Sequence, residues 1–190
     1  RREDLSRDLA AEIAAEFSVP VVIKAASQGS SIGVVIVERQ QDIKPALESA
    51  FAYSADVLVE EFIRGRELTV AVWGTVPRAA FPVIEIVPHS GRYDYESKYT
   101  KGAADHIVPA QLDEAVSAAV QDLAVKTFDA VGCSGVARVD IMLGQDNTPY
   151  VLEVNSVPGM TETSLVPDAA RAMGIEFPEL CERILQMVHI

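Results

Sequence analysis

Residues 135–159 read G-V-A-R-V-D-I-M-L-G-Q-D-N-T-P-Y-V-L-E-V-N-S-V-P-G, two alternating runs on either side of a polar connection. Alternation with a period of two marks strands, and a short polar link between two such runs marks a β-hairpin. A tight turn centred on Asp146 and Asn147 fixes the register. Asp140 then stands across from Glu153, and Arg138 across from Asn155. Strand alternation gathers these four on one face and leaves Ala137, Val139, Ile141 and Leu143, with Tyr150, Leu152 and Val154, on the other. Two carboxylates and an amide oxygen are hard donors of the kind Mg²⁺ prefers, and Arg138 beside them offers a fixed fork for an anion. A solvated face with ordinary ion pairs is the competing reading, and for this hairpin alone it carries more weight, because polar outer faces are routine. The remaining motifs shift that balance.

A chain of 190 residues is long enough for one large domain or two small ones with a real core. Acidic residues number 28 against 16 basic ones, and no basic stripe or basic helix breaks the resulting charge of -12. That balance argues against a nucleic-acid or anionic-membrane surface, but not against a nucleotide whose charge is met locally by Mg²⁺. Cys133 and Cys181 are too few for a disulfide framework and too far apart for a metal knuckle, so they read as buried thiols of a reducing compartment. No apolar run approaches a membrane span and no signal-peptide pattern opens the chain. The opening Arg1-Arg2-Glu3-Asp4, without Met, reads as the middle of a longer protein.

Leu5, Leu9, Ile13 and Phe17 recur at helical spacing, which predicts a helix over residues 3–17. Strands are expected at 20–24, 33–37, 57–61, 67–73 and 80–87, with a helix from about 42 to 53. Residues 88–109 show no periodicity, and a loop this long in a compact domain is usually functional or disordered. A core-facing helix over 111–131 stops at Gly132, and two short helices follow the hairpin at about 164–173 and 178–188. Helices interspersed with antiparallel hairpins indicate an α+β fold rather than a doubly wound parallel sheet.

The small-residue loop of residues 24–33, K-A-A-S-Q-G-S-S-I-G, lets backbone N–H groups close on an anion and adds the hydroxyls of Ser30 and Ser31. It is not a Walker loop, because Lys24 precedes the glycines and no helix follows directly. A flexible hairpin tip is the plain alternative. Glu60-Glu61-Phe62-Ile63 ends a strand on which backbone C=O and N–H groups two residues apart suit an adenine edge, with Glu67 placed for ribose hydroxyls. Taken alone it reads better as an acidic surface turn. Tyr93-Asp94-Tyr95-Glu96-Ser97-Lys98-Tyr99 packs aromatics beside a lysine, which suggests a lid over a site, or else an Ω-loop plugged by Tyr95. His89, His106 and His189 show no ligand spacing and read as structural or exposed.

Taken in order, K-A-A-S-Q-G-S-S-I-G, V-L-V-E-E-F-I-x-G-x-E-L-T-V, Y-D-Y-E-S-K-Y, G-x-x-R-V-D-I-M-L and L-E-V-N-S-V-P-G-M-T-x-x-S-L-V-P resemble the D-alanine–D-alanine ligases, which are ATP-grasp enzymes of peptidoglycan synthesis. The match runs from about residue 20 to the C-terminus. One departure is Ala25, where the family usually has proline. The resemblance implies an ATP-grasp fold, two α+β lobes with largely antiparallel sheets and the nucleotide between them: a small lobe at 1–62, incomplete at its N-terminus, and a large lobe at 63–190. It also implies that the family's N-terminal substrate domain is absent from this stretch, so that the chain alone binds ATP weakly and does not ligate.

By the same resemblance Lys24 holds phosphates, and Ser30 and Ser31 fold over them with their loop. Glu60, Glu61 and Ile63 line the adenine, Glu67 the ribose, and Lys98 and Tyr99 close above. Asp140, Glu153 and Asn155 bind two Mg²⁺ ions, with Mn²⁺ an alternative. Arg138 and a backbone N–H near Gly159 stabilise an oxyanion, and Ser164 and Leu165 open a helix that receives the second substrate's carboxylate. The implied reaction joins two D-alanine molecules through a D-alanyl phosphate, in a cytoplasmic homodimer, without nucleic-acid or membrane partners. Another ATP-grasp carboxylate–amine ligase, or a nucleotide-binding module without turnover, are the alternatives. Without metal, the neighbouring carboxylates Asp140 and Glu153 are expected to repel, so that neutralising either is neutral or mildly stabilising. Tyr99 supplies a phenol that can extend a hydrogen-bond chain to Ser30. In a full-length protein Tyr99→Phe is therefore expected to raise depsipeptide formation from D-lactate relative to dipeptide; unchanged product ratios at neutral pH would remove Tyr99 as the discriminator.

Overall fold

The computed structural model describes residues 7–89 and 103–187. Contacts divide them into two units, the first reaching Ile63 and the second running from Arg64 to His89 and from Ala104 onward. The first unit is built on an antiparallel sheet of order β2-β1-β3, formed by β1 (Val21–Ala25), β2 (Val34–Val37) and β3 (Val57–Glu61). Val21, Ile23 and Val37 turn one face of this sheet toward α2 (Ile43–Tyr53), which answers with Ile43, Ala46, Leu47, Ala50 and Phe51. The helix α1 (Leu9–Glu16) adds Leu9, Ile13 and, at its C-cap, Phe17 to the same core. Asp8 caps α1 by accepting from the Ala11 N–H at 3.1 Å, which explains why the described helix begins there. The part of the expected helix before residue 7 lies outside the described residues. β1 is not buried throughout: Val22 and Lys24 lie on its other, half-exposed face with Leu58 and Glu60.

The second unit is organised by a sheet of order β7-β6-β4-β8-β9, from β4 (Gly65–Trp73), β6 (Ile84–Pro88), β7 (Ala104–Ile107), β8 (Val136–Gly144) and β9 (Pro149–Asn155). A short β5 (Ala79–Ala80) pairs with β4. Every pairing is antiparallel. The single strand expected at 80–87 is thus two, interrupted at Phe81-Pro82-Val83, where proline removes a ladder donor. The stretch expected to be irregular from 88 to 109 contributes β7 instead; Ala104–Ile107 pairs with β6 although Asp105 and His106 give it no strand pattern.

Leu68, Val70 and Val72 of β4 and Ala137, Val139, Ile141 and Leu143 of β8 form one apolar face. The long helix α3 (Glu114–Ala130) covers it with Val120, Ala124 and Phe128. Gly132 follows at φ 69°, the left-handed geometry that ends a helix and that glycine adopts without cost. Near the opposite face lies α4 (Leu165–Ala172), followed by α5 (Phe177–Gln186). Pro178 sits in the first turn of α5, as its missing N–H permits. Among the described residues no helix is long and apolar enough to cross a membrane, and Cys133 and Cys181 are free thiols, both only half-buried. Phe128, fully buried at the centre of the larger core, should be costly to truncate. Phe128→Ala is expected to lower unfolding free energy by about 3–5 kcal/mol, read by urea denaturation.

Candidate functional site

β8 and β9 form the expected hairpin, and its two functional pairs stand in the expected register: Arg138 opposite Asn155, Asp140 opposite Glu153. The route to that register differs. The loop carries Asn147 at φ 63°, the Gly144 N–H donates to the Thr148 carbonyl while the Gly144 carbonyl accepts from the Asn147 N–H, and the ladder begins with Leu143 opposite Pro149. This is one residue short of the register a turn centred on 146 and 147 would set. An irregularity beside Ile141 then leaves Leu152 unpaired and restores the count. Tyr150 consequently pairs with Met142 and is exposed, as is Leu152; only Val154 of the three expected apolar β9 residues packs on the core. Asp146 fixes the turn by accepting from the Thr148 N–H at 3.0 Å and from its hydroxyl at 2.8 Å, which holds its carboxyl below the usual range.

Asp140 is almost fully buried, and four donors converge on it. Thr69 Oγ1 donates to Oδ1 at 2.6 Å and Arg138 Nε to the same oxygen at 2.8 Å. Arg138 Nη2 and Asn155 Nδ2 donate to Oδ2 at 2.8 and 3.0 Å. A carboxylate offers about four acceptor directions, so this one is saturated. Thr69 went unassigned in the sequence: strand alternation in the E-L-T run puts it on the face of Glu67, but only the pairing of β4 with β8 sets it opposite Asp140. Glu153 is exposed and directly opposite Asp140. The residue types of Asp140, Glu153 and Asn155 fit a hard divalent cation. Among the described residues no set of three or more His, Cys, Asp or Glu is grouped for a metal, so the amide of Asn155 is an integral member of the donor set. Any cation that takes an Asp140 oxygen must displace one of its present donors.

Beyond β9, the turn leading to α4 is tied to itself. Ser164 Oγ accepts from the Thr161 N–H at 3.1 Å and lies 2.8 Å from Thr161 Oγ1. Gly159 passes so close that a Cβ there would lie 3.2 Å from Ser164 Oγ. Ser164 is the N-cap of α4 and Leu165 its first, buried residue, so Leu165 can offer a ligand only its backbone. On α4, Asp168 lies 2.8 Å from His106 Nδ1 of β7 and accepts from Arg171 at 2.8 Å. Burial opposes its ionisation, but the His106 and Arg171 bonds outweigh that, and its pKa is lowered.

In the first unit, Lys24 Nζ and Glu60 Oε2 are 2.7 Å apart on the half-exposed sheet face. Glu61, the next residue, belongs to the opposite face, and Ile63 closes the unit. The loop after β1 places Ser30 at φ 53° and Ser31 at φ 60°, two successive non-glycine residues in left-handed geometry. Such geometry costs of order 1–3 kcal/mol per residue and clusters at ligand sites. Gly33, at φ 72°, has no room for a side chain, since a Cβ would sit 2.9 Å from that of Ala25. The Ala25 N–H donates to Gly33 O at 3.1 Å, a bond that the proline usual at this position could not make. Glu67 lies on β4 in the second unit, half-buried and opposite Met142. Lys98 and Tyr99, with the rest of the tyrosine-rich stretch, lie outside the described residues.

The family described as D-ala D-ala ligase C-terminus matches residues 1–186. A D-alanine–D-alanine ligase of Pelotomaculum thermopropionicum is 47% identical over 190 residues, covering 98% of this chain and 60% of its own length. That of Desulforudis audaxviator is 49% identical, covering 95% and 59%. The chain thus spans about three-fifths of the curated relatives it matches. Among solved structures, the VanG D-Ala:D-Ser ligase of Enterococcus faecalis superposes with TM-score 0.87 at 33% identity, covering 98% of this chain and 54% of that one. A Bacillus anthracis D-alanine–D-alanine ligase complexed with ATP gives TM-score 0.77 at 32% identity, covering 96% and 57%. The shared fold is ATP-grasp.

The Asp140 cluster reverses one expectation about charge. Its carboxylate is held by Arg138 rather than repelled by Glu153, so neutralising it leaves a mostly buried guanidinium poorly matched. Without divalent cations, Asp140→Asn is expected to destabilise by about 1.5–3 kcal/mol, while Glu153→Gln stays within about 0.5 kcal/mol. Thermal melts of both variants decide; equal midpoints for the two would contradict the arrangement.

Proposed function

The chain belongs to the D-ala D-ala ligase C-terminus family, and from that premise we propose that it forms the ATP-binding and ligating part of an enzyme joining two D-alanine molecules for peptidoglycan precursors. The observation that carries the reading is the buried cluster of Asp140 with Thr69, Arg138 and Asn155 opposite Glu153. An ordinary ion pair on a hairpin needs no buried threonine and no amide completing the same carboxylate. In this reading residues 1–62 are the small ATP-grasp lobe and 63–190 the large one.

Lys24, neutralised by Glu60 until a ligand competes for it, meets the nucleotide's phosphates as a point charge. Ser30 and Ser31 present their loop to the same phosphates, its left-handed turn already formed. Glu60, Glu61 and Ile63 line the adenine, the last two through backbone groups, Glu67 takes the ribose, and Lys98 and Tyr99 cover the site. Asp140, Glu153 and Asn155 hold Mg²⁺, which when bound neutralises phosphate charge. The γ-phosphoryl group passes from ATP to the carboxylate of one D-alanine, giving D-alanyl phosphate and ADP. The amine of a second D-alanine attacks the acyl carbon, and phosphate leaves. Arg138, oriented by Asp140, and the backbone N–H near Gly159 face the oxyanion of that addition. Ser164 and the Leu165 N–H receive the second carboxylate at the start of α4.

ADP release with ATP and Mg²⁺ tests the proposal on the full-length protein. Release is expected only when D-alanine is present, with D-alanyl-D-alanine as product, and Glu153→Gln is expected to abolish it without unfolding the protein. Tight Mg²⁺-dependent ATP binding with no D-alanine-dependent release would instead make the chain a nucleotide-binding module.

A further inference from the structure

Two edges of the second unit are joined by a hydrogen-bond chain that the roles above do not use. His106 Nδ1 on β7 meets Asp168 Oδ2 in the first half of α4 at 2.8 Å. The other Asp168 oxygen accepts from Arg171 Nη1 at 2.8 Å, and Arg171 Nη2 donates to the carbonyl of Glu162 at 2.8 Å. Glu162 lies in the turn whose other fastening is the Thr161–Ser164 pair. The turn before α4 is therefore held on one side by its own serine and on the other by a sheet strand, through three side chains. Carboxylates only accept, so the Nδ1 of His106 carries the proton and donates, whether the ring is neutral or charged. Asp168 is mostly buried and ionised below the usual carboxylate range, consistent with a permanent acceptor at the centre of the chain.

We propose that His106, Asp168 and Arg171 are positioning residues that set the 159–164 turn, and with it the grip on the second amino-acid substrate. The inference rests on the proposed ligation and names what holds one of its subsites in place. The physical ground is that the groups assigned to the second carboxylate, Ser164 and the Leu165 N–H, sit at the free end of an eight-residue helix. A helix that short contributes little stability by itself. Its first turn stays where the substrate needs it only if something outside the helix fixes it, and errors of about 1 Å in such placement cost up to about 10²-fold. Arg171 reaches back from the last turn of α4 to the preceding turn, and Asp168 connects that clamp to β7.

Steady-state kinetics of the full-length protein, with amide hydrogen exchange of the 159–164 turn, test it. His106→Leu removes the donor, Arg171→Met removes the clamp, and His106→Asn keeps an N–H where Nδ1 stood. His106→Leu and Arg171→Met are expected to raise the KM for the second D-alanine by about 5–20-fold while the KM for ATP stays within about twofold, and to speed exchange at Thr161 and Ser164. His106→Asn is expected to remain within about threefold of the unaltered protein. A merely weaker fold lowers the active fraction, and so kcat, without moving KM for one substrate. A KM for D-alanine unmoved by His106→Leu, or a His106→Asn protein as impaired as His106→Leu, overturns the proposal. If the unaltered protein itself releases no ADP with D-alanine, the ligation reading fails, and the substrate role drawn from it fails too; that outcome is recognisable because it precedes any variant, while the exchange rates still report whether the chain of bonds holds the turn.

Discussion

A single buried carboxylate sets the layout of the second unit. Asp140 stands in the middle of β8 with apolar neighbours on both sides in sequence, and an unpaired charge there would cost several kcal/mol. Its environment is arranged accordingly: β4 supplies a hydroxyl from Thr69, β9 an amide from Asn155, and β8 itself the Arg138 guanidinium two residues away. Each of these donors requires its strand in one register. A slip of either neighbouring strand by one residue would turn Thr69 or Asn155 to the wrong face and leave the carboxylate short of partners. Satisfying Asp140 therefore ties the pairing of three strands to the chemistry of one site.

The same economy appears in the first unit. Lys24 and Glu60, each assigned to the nucleotide, meet one another across β1 and β3. Charged residues gathered for an ionic ligand would otherwise repel or lie unmatched, and pairing them with each other keeps the sheet face tolerable until a ligand competes. The strained Ser30-Ser31 turn is anchored nearby on glycine geometry: Gly33 packs against Ala25, and the Ala25 N–H closes the base of the loop. Loop strain persists only where the base is fixed, and here the base is the end of a core strand.

His106 shows how placement changes a residue's meaning. In sequence it is a lone histidine in a stretch without periodicity. In the fold it stands on β7, facing Asp168 sixty-two positions away, and becomes the sheet end of a chain of bonds running to the turn before α4. No local pattern announces that, because the strand carrying it is an edge strand whose side chains alternate with neither face fully buried.

The period-two run of β8 and the helical spacing of α2 and α3 were legible because burial of one face imposes them directly on the residue order. The small-residue loop at 24–33 and the acidic strand end at 60–61 stood out as short consecutive runs, whereas Arg138, Asp140, Glu153 and Asn155 shared a face only through strand alternation. Tertiary structure alone decided the rest. The partners of Asp140 come from three strands, so Thr69 gained its role only from the pairing of β4 with β8. Tyr150 and Leu152 lost their expected core positions because a three-residue loop and a compensating bulge, each a matter of backbone geometry, cancel in the register of Asp140 and Glu153 while reversing the faces between. β7 exists because β6 offers it an unpaired edge, a backbone interaction to which side-chain pattern is blind. Which distant groups meet, and which residues of β9 turn toward the core, depends on strand registers that only the assembled backbone determines.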